Sequence, residues 1–152
     1  MSIKDNPEVL KIHRCCANVA AELRRGYIEA VYKDAMELEF QAAHIPYKRE
    51  ATVRIGYKGQ VLRSFYKADF VCFDKIIVEV KALKTLNSEH KAQVLNYLRA
   101  TNLSGAYLVN FGYDKGLQYD FFPNDFNDPR PVLPITKFEF GYDGFNFINN
   151  VS

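Results

Sequence analysis

The sequence predicts an α/β fold of the α+β type, in which a small mixed β-sheet is flanked by helices. Two amphipathic segments precede three consecutive strand-like runs, and a third helical segment separates these runs from two further strands. A chain of 152 residues has the length of one domain with its own core. We therefore expect a single domain over 1–152, with its core at about 8–122 and a C-terminal hairpin extension at about 134–150.

Apolar residues at helical spacing predict three helices. They are expected at about 7–23, 27–43 and 88–101. Asn6 followed by Pro7 is a favourable start for the first helix. Pro46 disfavours continuation of the second helix, because the residue before a proline avoids the helical region. Asn87 or Ser88 is the expected cap of the third helix.

Strands are predicted from short apolar or alternating runs bounded by turn residues. They are expected near 48–56, 60–72, 75–82, 106–111 and 117–122. Region 123–134 contains four prolines and is expected to form a loop. Beyond it, Asp143-Gly144 between aromatic runs predicts a β-hairpin of 137–142 with 145–147.

Cysteine content and hydropathy indicate the cellular compartment. Cys15, Cys16 and Cys72 are odd in number, and an adjacent pair is poor material for a disulfide. Three thiols also cannot ligate an iron–sulfur cluster alone. No apolar run approaches the ~18 residues of a membrane span, and the N-terminus lacks the apolar segment of a signal peptide. We therefore expect a cytoplasmic protein with reduced thiols and no membrane partner.

The net charge of +2 is too small to indicate nucleic-acid binding by itself, but the charge is unevenly distributed. Residues 48–67 contain six basic side chains and only Glu50 as an acid. Such a basic patch suits a polyanionic substrate, because it screens phosphates and raises the encounter rate. The candidate substrate-binding residues are Arg54, Lys58, Arg63 and Lys67. Routine charges on a solvated hairpin are the alternative.

Two acids and a lysine on one predicted hairpin suggest a phosphodiesterase site. If residues 73–75 form the hairpin loop, Asp69 lies opposite Glu79 on one face, with Cβ atoms roughly 5 Å apart. Two carboxylates this close repel by up to ~4 kcal/mol at an effective dielectric of ~20. Mg²⁺ or Mn²⁺ removes that repulsion. Lys81 lies on the same face as Glu79. The alternative is a surface salt bridge between Glu79 and Lys81.

Two of the helices contain further polar candidates. Glu29 lies at the edge of the apolar stripe of the second helix, where the alternative is a favourable interaction with the helix dipole. On the third helix, Gln93 and Tyr97 line one face together with His90. We do not assign His90 as a ligand. The alternative for this face is an ordinary solvated surface.

Together these residues resemble the PD-(D/E)XK nuclease superfamily, and within it the GxxExxY proteins. The quoted motifs are Gly26-Tyr-Ile-Glu29-Ala-Val-Tyr32, then Asp69, then Glu79-Val80-Lys81, then Gln93 to Tyr97. The resemblance covers roughly residues 8–112. The sequence departs from the family pattern at Ala68, where proline is usual, and at Arg24-Arg25, where a second glycine is usual.

The resemblance implies a restriction-endonuclease-like core and a metal-dependent nuclease, with DNA as the expected substrate. It implies that Glu29, Asp69, Glu79 and the backbone carbonyl of Val80 bind Mg²⁺ or Mn²⁺. Lys81 would act at the nucleophile. Gln93 and Tyr97 would be supporting residues near the site.

Two other functional classes remain open from the sequence. A protein of nuclease fold can bind nucleic acid or a partner protein without cutting, since fold does not fix function. Alternatively, the aromatic C-terminal hairpin is the functional part of an interaction module. That hairpin lies outside the resemblance, and capping the sheet, extending the substrate surface and forming a homodimer contact are three roles open to it.

Overall fold

The computed structural model describes residues 3–126 and 131–137. After a 3₁₀ turn at Ile3–Asp5, the helices are α1 (Pro7–Leu23), α2 (Glu29–Ala42) and α3 (Ser88–Thr101). The strands are β1 (Tyr47–Tyr57), β2 (Gln60–Cys72), β3 (Ile76–Lys81), β4 (Gly105–Asn110), β5 (Gln118–Pro123) and β6 (Ile135–Lys137). These elements confirm the predicted α+β class.

The six strands form one mixed sheet with the order β5-β4-β3-β2-β1-β6. Strands β3 and β4 are parallel and are connected through α3, whereas the other neighbouring pairs are antiparallel. Such a crossover requires an intervening segment, which α3 provides. Strand β3 therefore lies inside the sheet, between β2 and β4.

Local capping explains where the helices begin. The Asn6 side chain accepts a hydrogen bond from the Val9 N–H at 3.2 Å. Asn87 accepts from the His90 N–H, while the His90 ring accepts from the Asn87 N–H, which completes a reciprocal capping box. His90 therefore has a structural role. Helix α2 begins at Glu29, two residues later than predicted, because Ile28 is extended.

The sheet separates two hydrophobic cores. One core lies against α1 and α2 and contains a stacked pair of rings, Tyr32 and Phe111, with centroids 4.5 Å apart. The other lies against α3 and includes Leu98 and Ile77. Helices thus cover both faces, which leaves β3 almost completely buried.

In β1 and β2 the alternation of side chains between the two faces of the sheet is interrupted at facing positions, Glu50 and Asp69. We call this interruption the phase change. The register is the same on both sides of these residues, with Arg49 opposite Phe70 and Ala51 opposite Ala68. Regular alternation would place Ala68 and Phe70 on one face. Instead, Ala68 belongs to the α3 core and Phe70 to the core under α1 and α2. Glu50 has a positive φ of 51°, so the backbone itself accommodates the change.

Strand β6, which the sequence did not predict as a separate element, pairs with β1. The predicted hairpin of 137–142 with 145–147 falls almost wholly outside the described residues. Cys15, Cys16 and Cys72 are free and buried, as expected for reduced thiols. Among the described helices, none has both the length and the apolar character needed to cross a membrane.

Candidate active site

Asp69 lies where the β2–β3 ladder stops. Cys72 pairs with Ile76 and Phe70 with Val78, which confirms the predicted register up to that point. Beyond it, the Asp69 side chain takes the place of the main chain, and its Oδ2 accepts the Val80 N–H at 2.8 Å. One carboxylate oxygen is thereby fixed on β3, next to the Glu-x-Lys segment.

Glu79 is partly buried and accepts a hydrogen bond from the Tyr66 hydroxyl. Burial raises the pKa of Glu79 to about 7, and the nearby charge of Glu29 acts in the same direction. The charge of Lys81, the backbone N–H of Asp69 and the charge of Lys33 oppose this rise. Such a carboxyl is costly to ionise in the isolated protein, so a cation beside it is favourable.

A cleft of about 260 Å³ opens beside Glu79. Its lining residues are Tyr66, Lys67, Glu79, Lys81, Gln93, Val94 and Tyr97. The Tyr66 and Tyr97 rings stack directly on each other in its wall, with centroids 3.8 Å apart and planes 11° apart. The structure therefore brings together the two halves predicted separately, Glu79 and Lys81 from β3 with Gln93 and Tyr97 from α3.

Glu79 and Lys81 do not neutralise each other as a simple surface pair. Within the residues the structure describes, no ion pair within 4.0 Å joins them. Lys81 ends β3 and is partly buried at the cleft. The alternative reading as an exposed salt bridge is therefore not what the fold contains.

Glu29 is exposed at the first position of α2. Its negative charge is close enough to contribute to the raised pKa of Glu79. The segment before it is shaped by Gly26, whose φ is +118°. It is anchored by the buried Tyr32, whose hydroxyl donates to the Arg24 carbonyl at 2.6 Å and accepts the Tyr27 N–H at 3.3 Å. The glycine and the tyrosine at this spacing thus fix the segment that leads into α2, and the placement of Glu29 at the site stays a prediction.

Lys33 is a site residue that the sequence reasoning missed. It is only 9% exposed, and its ammonium binds carboxylates of both Glu50 and Asp69, with 2.9 Å to Asp69 Oδ1. A signal was available, because Lys33 is four residues after Glu29 and three before the buried Met36. A lysine on the buried side of an amphipathic helix requires a partner.

The four basic candidates are separated by the fold. Lys67 lines the cleft and lies 3.6 Å from Glu50. Arg54 is buried under the Phe65 ring and faces a different cavity, of about 120 Å³, near the end of α3. Lys58 is exposed at the β1–β2 turn, and Arg63 is exposed on β2.

The donor chemistry of the site suits a hard divalent cation, since Asp69 and Glu79 offer carboxylate oxygens and Glu29 is near. Over 3–126 and 131–137, however, no three His, Cys, Asp or Glu side chains are grouped closely enough to hold a metal ion. Asp69 is instead paired with Lys33. The metal set of Glu29, Asp69, Glu79 and the Val80 carbonyl stays a prediction.

A family model described as the PD-(D/E)XK nuclease superfamily matches residues 6–119. The chain belongs to the PD-(D/E)XK nuclease superfamily. No curated protein matches this PD-(D/E)XK chain significantly. Four chains of solved structures do. One of them, the crystal structure of SSO0001, is 18% identical over 62% of this chain, with a TM-score of 0.48. The match spans 49% of that protein's chain, about half its length.

The region matched by the superfamily model includes Glu29, Asp69, Glu79-Val80-Lys81, Gln93 and Tyr97. In this PD-(D/E)XK chain Glu79 and Lys81 from the sheet line one cleft together with Gln93 and Tyr97 from α3. Residues after 119 lie outside the superfamily match.

Proposed function

We propose that the chain is a metal-dependent nuclease of the GxxExxY group that hydrolyses phosphodiester bonds in DNA. The observation that supports this best is the cleft in which Glu79 and Lys81 face Gln93 and Tyr97, with Asp69 bound to the backbone of Val80 beside it. An acid with a raised pKa, a lysine and an amide around one cleft are the groups that phosphoryl chemistry requires.

Each group has a defined role in the proposal. Asp69, Glu79, Glu29 and the Val80 carbonyl would hold Mg²⁺ or Mn²⁺, which supplies Lewis-acid activation of a water and of the phosphate when bound. Lys81 stabilises negative charge that develops on the phosphate.

The remaining cleft residues position the acid and the substrate. Tyr66 orients Glu79 through its hydroxyl. Tyr97 holds the Tyr66 ring by stacking. Gln93, on the same side of α3, offers an amide to the phosphate or to the attacking water. Lys67 adds a positive charge at the cleft and attracts the substrate backbone.

A second function is favoured by the ion pair between Lys33 and Asp69. With Asp69 neutralised in this way, the cleft suits a module that binds nucleic acid or a partner protein without cutting it. Such a module would bind equally well with and without divalent cations.

The test is a cleavage assay on labelled linear, circular and single-stranded DNA, with RNA as the comparison substrate, in Mg²⁺, Mn²⁺ or EDTA. We expect cation-dependent cutting that is lost in Lys81→Ala and retained in Lys115→Ala. Lys115 is an exposed lysine outside the cleft, and its substitution controls for the loss of one surface charge. Absence of cutting by the wild type, with binding retained in EDTA, contradicts the nuclease and favours the binding module.

A further inference from the structure

A buried ion cluster shares Asp69 with the candidate site, and the lysine at its centre has no role in the proposed chemistry. Lys33, in the middle of α2, places its ammonium between Glu50 on β1 and Asp69 on β2. Its side chain is 11% exposed, whereas that of Lys67, the second lysine at Glu50, is 47% exposed. A buried ammonium is retained only when it is paired and hydrogen-bonded.

The backbone is built to bring these two acids to one lysine. Glu50 and Asp69 are the positions at which β1 and β2 change phase. With regular alternation, Ala68 and Phe70 would lie on the same face of the sheet and Asp69 on the opposite face. In the structure Ala68 and Phe70 lie on opposite faces, with Asp69 between them. The phase change, including the positive φ of Glu50, therefore presents both carboxylates to α2.

The geometry pairs one cation with two acids. The Lys33 ammonium donates hydrogen bonds to Glu50 and to Asp69, and Lys67 lies 3.6 Å from the other oxygen of Glu50. A buried ammonium with two carboxylate partners is compensated for its loss of hydration.

We propose that Lys33 is a positioning residue that acts as an internal cation, holding Asp69 when no divalent ion is bound and competing with that ion for Asp69. This inference rests on the proposed function, because it concerns the same carboxylate. Both oxygens of Asp69 are engaged, Oδ2 by the Val80 N–H and Oδ1 by the Lys33 ammonium. A divalent ion at Asp69 must therefore share Oδ1 with Lys33 or displace it.

Glu50 gives the Lys33 ammonium a second carboxylate partner, so the ammonium can leave Asp69 and return to it. When the ammonium leaves Asp69, it retains its second partner, Glu50, which Lys67 also neutralises at 3.6 Å. The lysine therefore keeps a partner in either state. Its presence lowers the affinity of the site for the divalent ion relative to a site in which Asp69 is free.

The competition is tested by Mn²⁺ binding, followed by calorimetry and by the electron paramagnetic resonance signal of free Mn²⁺. The informative variant is Lys33→Met combined with Glu50→Gln, because it removes the lysine and preserves the net charge of the cluster. We expect it to bind Mn²⁺ roughly tenfold more tightly than the wild type, which corresponds to ~1.4 kcal/mol. Lys33→Arg, which retains a cation, is expected to bind like the wild type.

Lys48→Met is the matched control, because Lys48 pairs with Asp74 at the surface of the same sheet. It is expected to leave Mn²⁺ affinity unchanged. Mn²⁺ binding that is equal or weaker in the double variant overturns the competition alone and leaves the proposed nuclease in place. Absence of Mn²⁺ binding in both the wild type and the double variant overturns the competition together with the metal dependence of the proposed function.

Discussion

Glu79 is expected to destabilise the cation-free protein at neutral pH, and Glu79→Gln should relieve this cost. The carboxyl is partly buried beside Tyr66, and glutamine has the same shape and can still accept the hydrogen bond from the Tyr66 hydroxyl. The substitution therefore removes the charge and little else. Its effect on the free energy of unfolding should depend on pH, because only the wild-type side chain titrates.

The magnitude follows from the pKa. The pKa of Glu79 rises from its ordinary 4.5 to about 7 in the folded state. A group whose pKa is raised on folding contributes its stability at low pH and loses it as the pH rises through the folded-state value. The raised pKa of Glu79 therefore costs the wild type about 1 kcal/mol at pH 5, where the unfolded chain already loses this proton, and about 3 kcal/mol at pH 8, where the folded protein is ionised as well.

The assay is urea unfolding of the wild type and Glu79→Gln in EDTA at pH 5 and pH 8. The difference in free energy of unfolding between the variant and the wild type should grow by about 2 kcal/mol from pH 5 to pH 8. The difference between their unfolding midpoints should then grow by roughly 1 M urea. Other titrating groups are common to both proteins and cancel in the comparison. Glu22→Gln, at an exposed position of α1, controls for the loss of a surface charge.

A stability difference that is the same at both pH values would refute the reasoning, since it would mean that Glu79 ionises normally in the folded state. Repeating the unfolding measurement with ~10 mM Mg²⁺ tests whether the cation binds at Glu79. If the cation binds Glu79, it should stabilise the wild type at pH 8 and leave the variant largely unaffected.

Three further predictions concern the frame around the site, and each is checked by the free energy of unfolding. Gly112→Ala should destabilise the fold by about 1–3 kcal/mol or more, because a Cβ there would meet the backbone of Leu83, including its nitrogen at 2.6 Å. Asn110→Ala should cost about 1–3 kcal/mol, since the fully buried amide binds both the N–H and the carbonyl of Leu83, two residues after the end of β3. Tyr32→Phe should cost about 1 kcal/mol by losing the bond to the Arg24 carbonyl, and under the proposed function nuclease activity should fall because the segment before Glu29 loses this anchor. Unchanged stability in any of the three variants would contradict the corresponding contact.

Elements with local causes could be predicted from the sequence. Asn6-Pro7 and Asn87 cap their helices through neighbours three residues away, so α1 and α3 were predicted with their observed bounds. The register of the β2–β3 hairpin followed from the length of its loop. Periodicity predicted that Glu79 and Lys81 share a strand face and that Gln93 and Tyr97 share a helix face, whereas their approach to each other was implied only by the family resemblance.

Features with tertiary causes could not be predicted. The phase change at Asp69 depends on Glu50, which is far away in sequence and adjacent only after β1 and β2 pair. Tyr66 looked like an ordinary strand residue, and its role at Glu79 appears only when the sheet and α3 are assembled. Lys33 had a weak sequence signal, but its two carboxylate partners lie on different strands. Glu29 was identified through a family resemblance, since periodicity alone favoured a helix-dipole role.

The phase change at Glu50 and Asp69 also limits how this protein can be stabilised. An uninterrupted alternation through β1 and β2 would pair two more residues in the ladder and remove a positive φ, and both changes favour stability. The same changes would turn Asp69 away from Val80 and dissolve the cluster with Lys33. Selection or design for thermal stability alone would thus favour regular β1 and β2 strands in which the arrangement around Asp69 is lost. The irregularity is the part of the sheet that a consensus or idealised redesign should leave untouched.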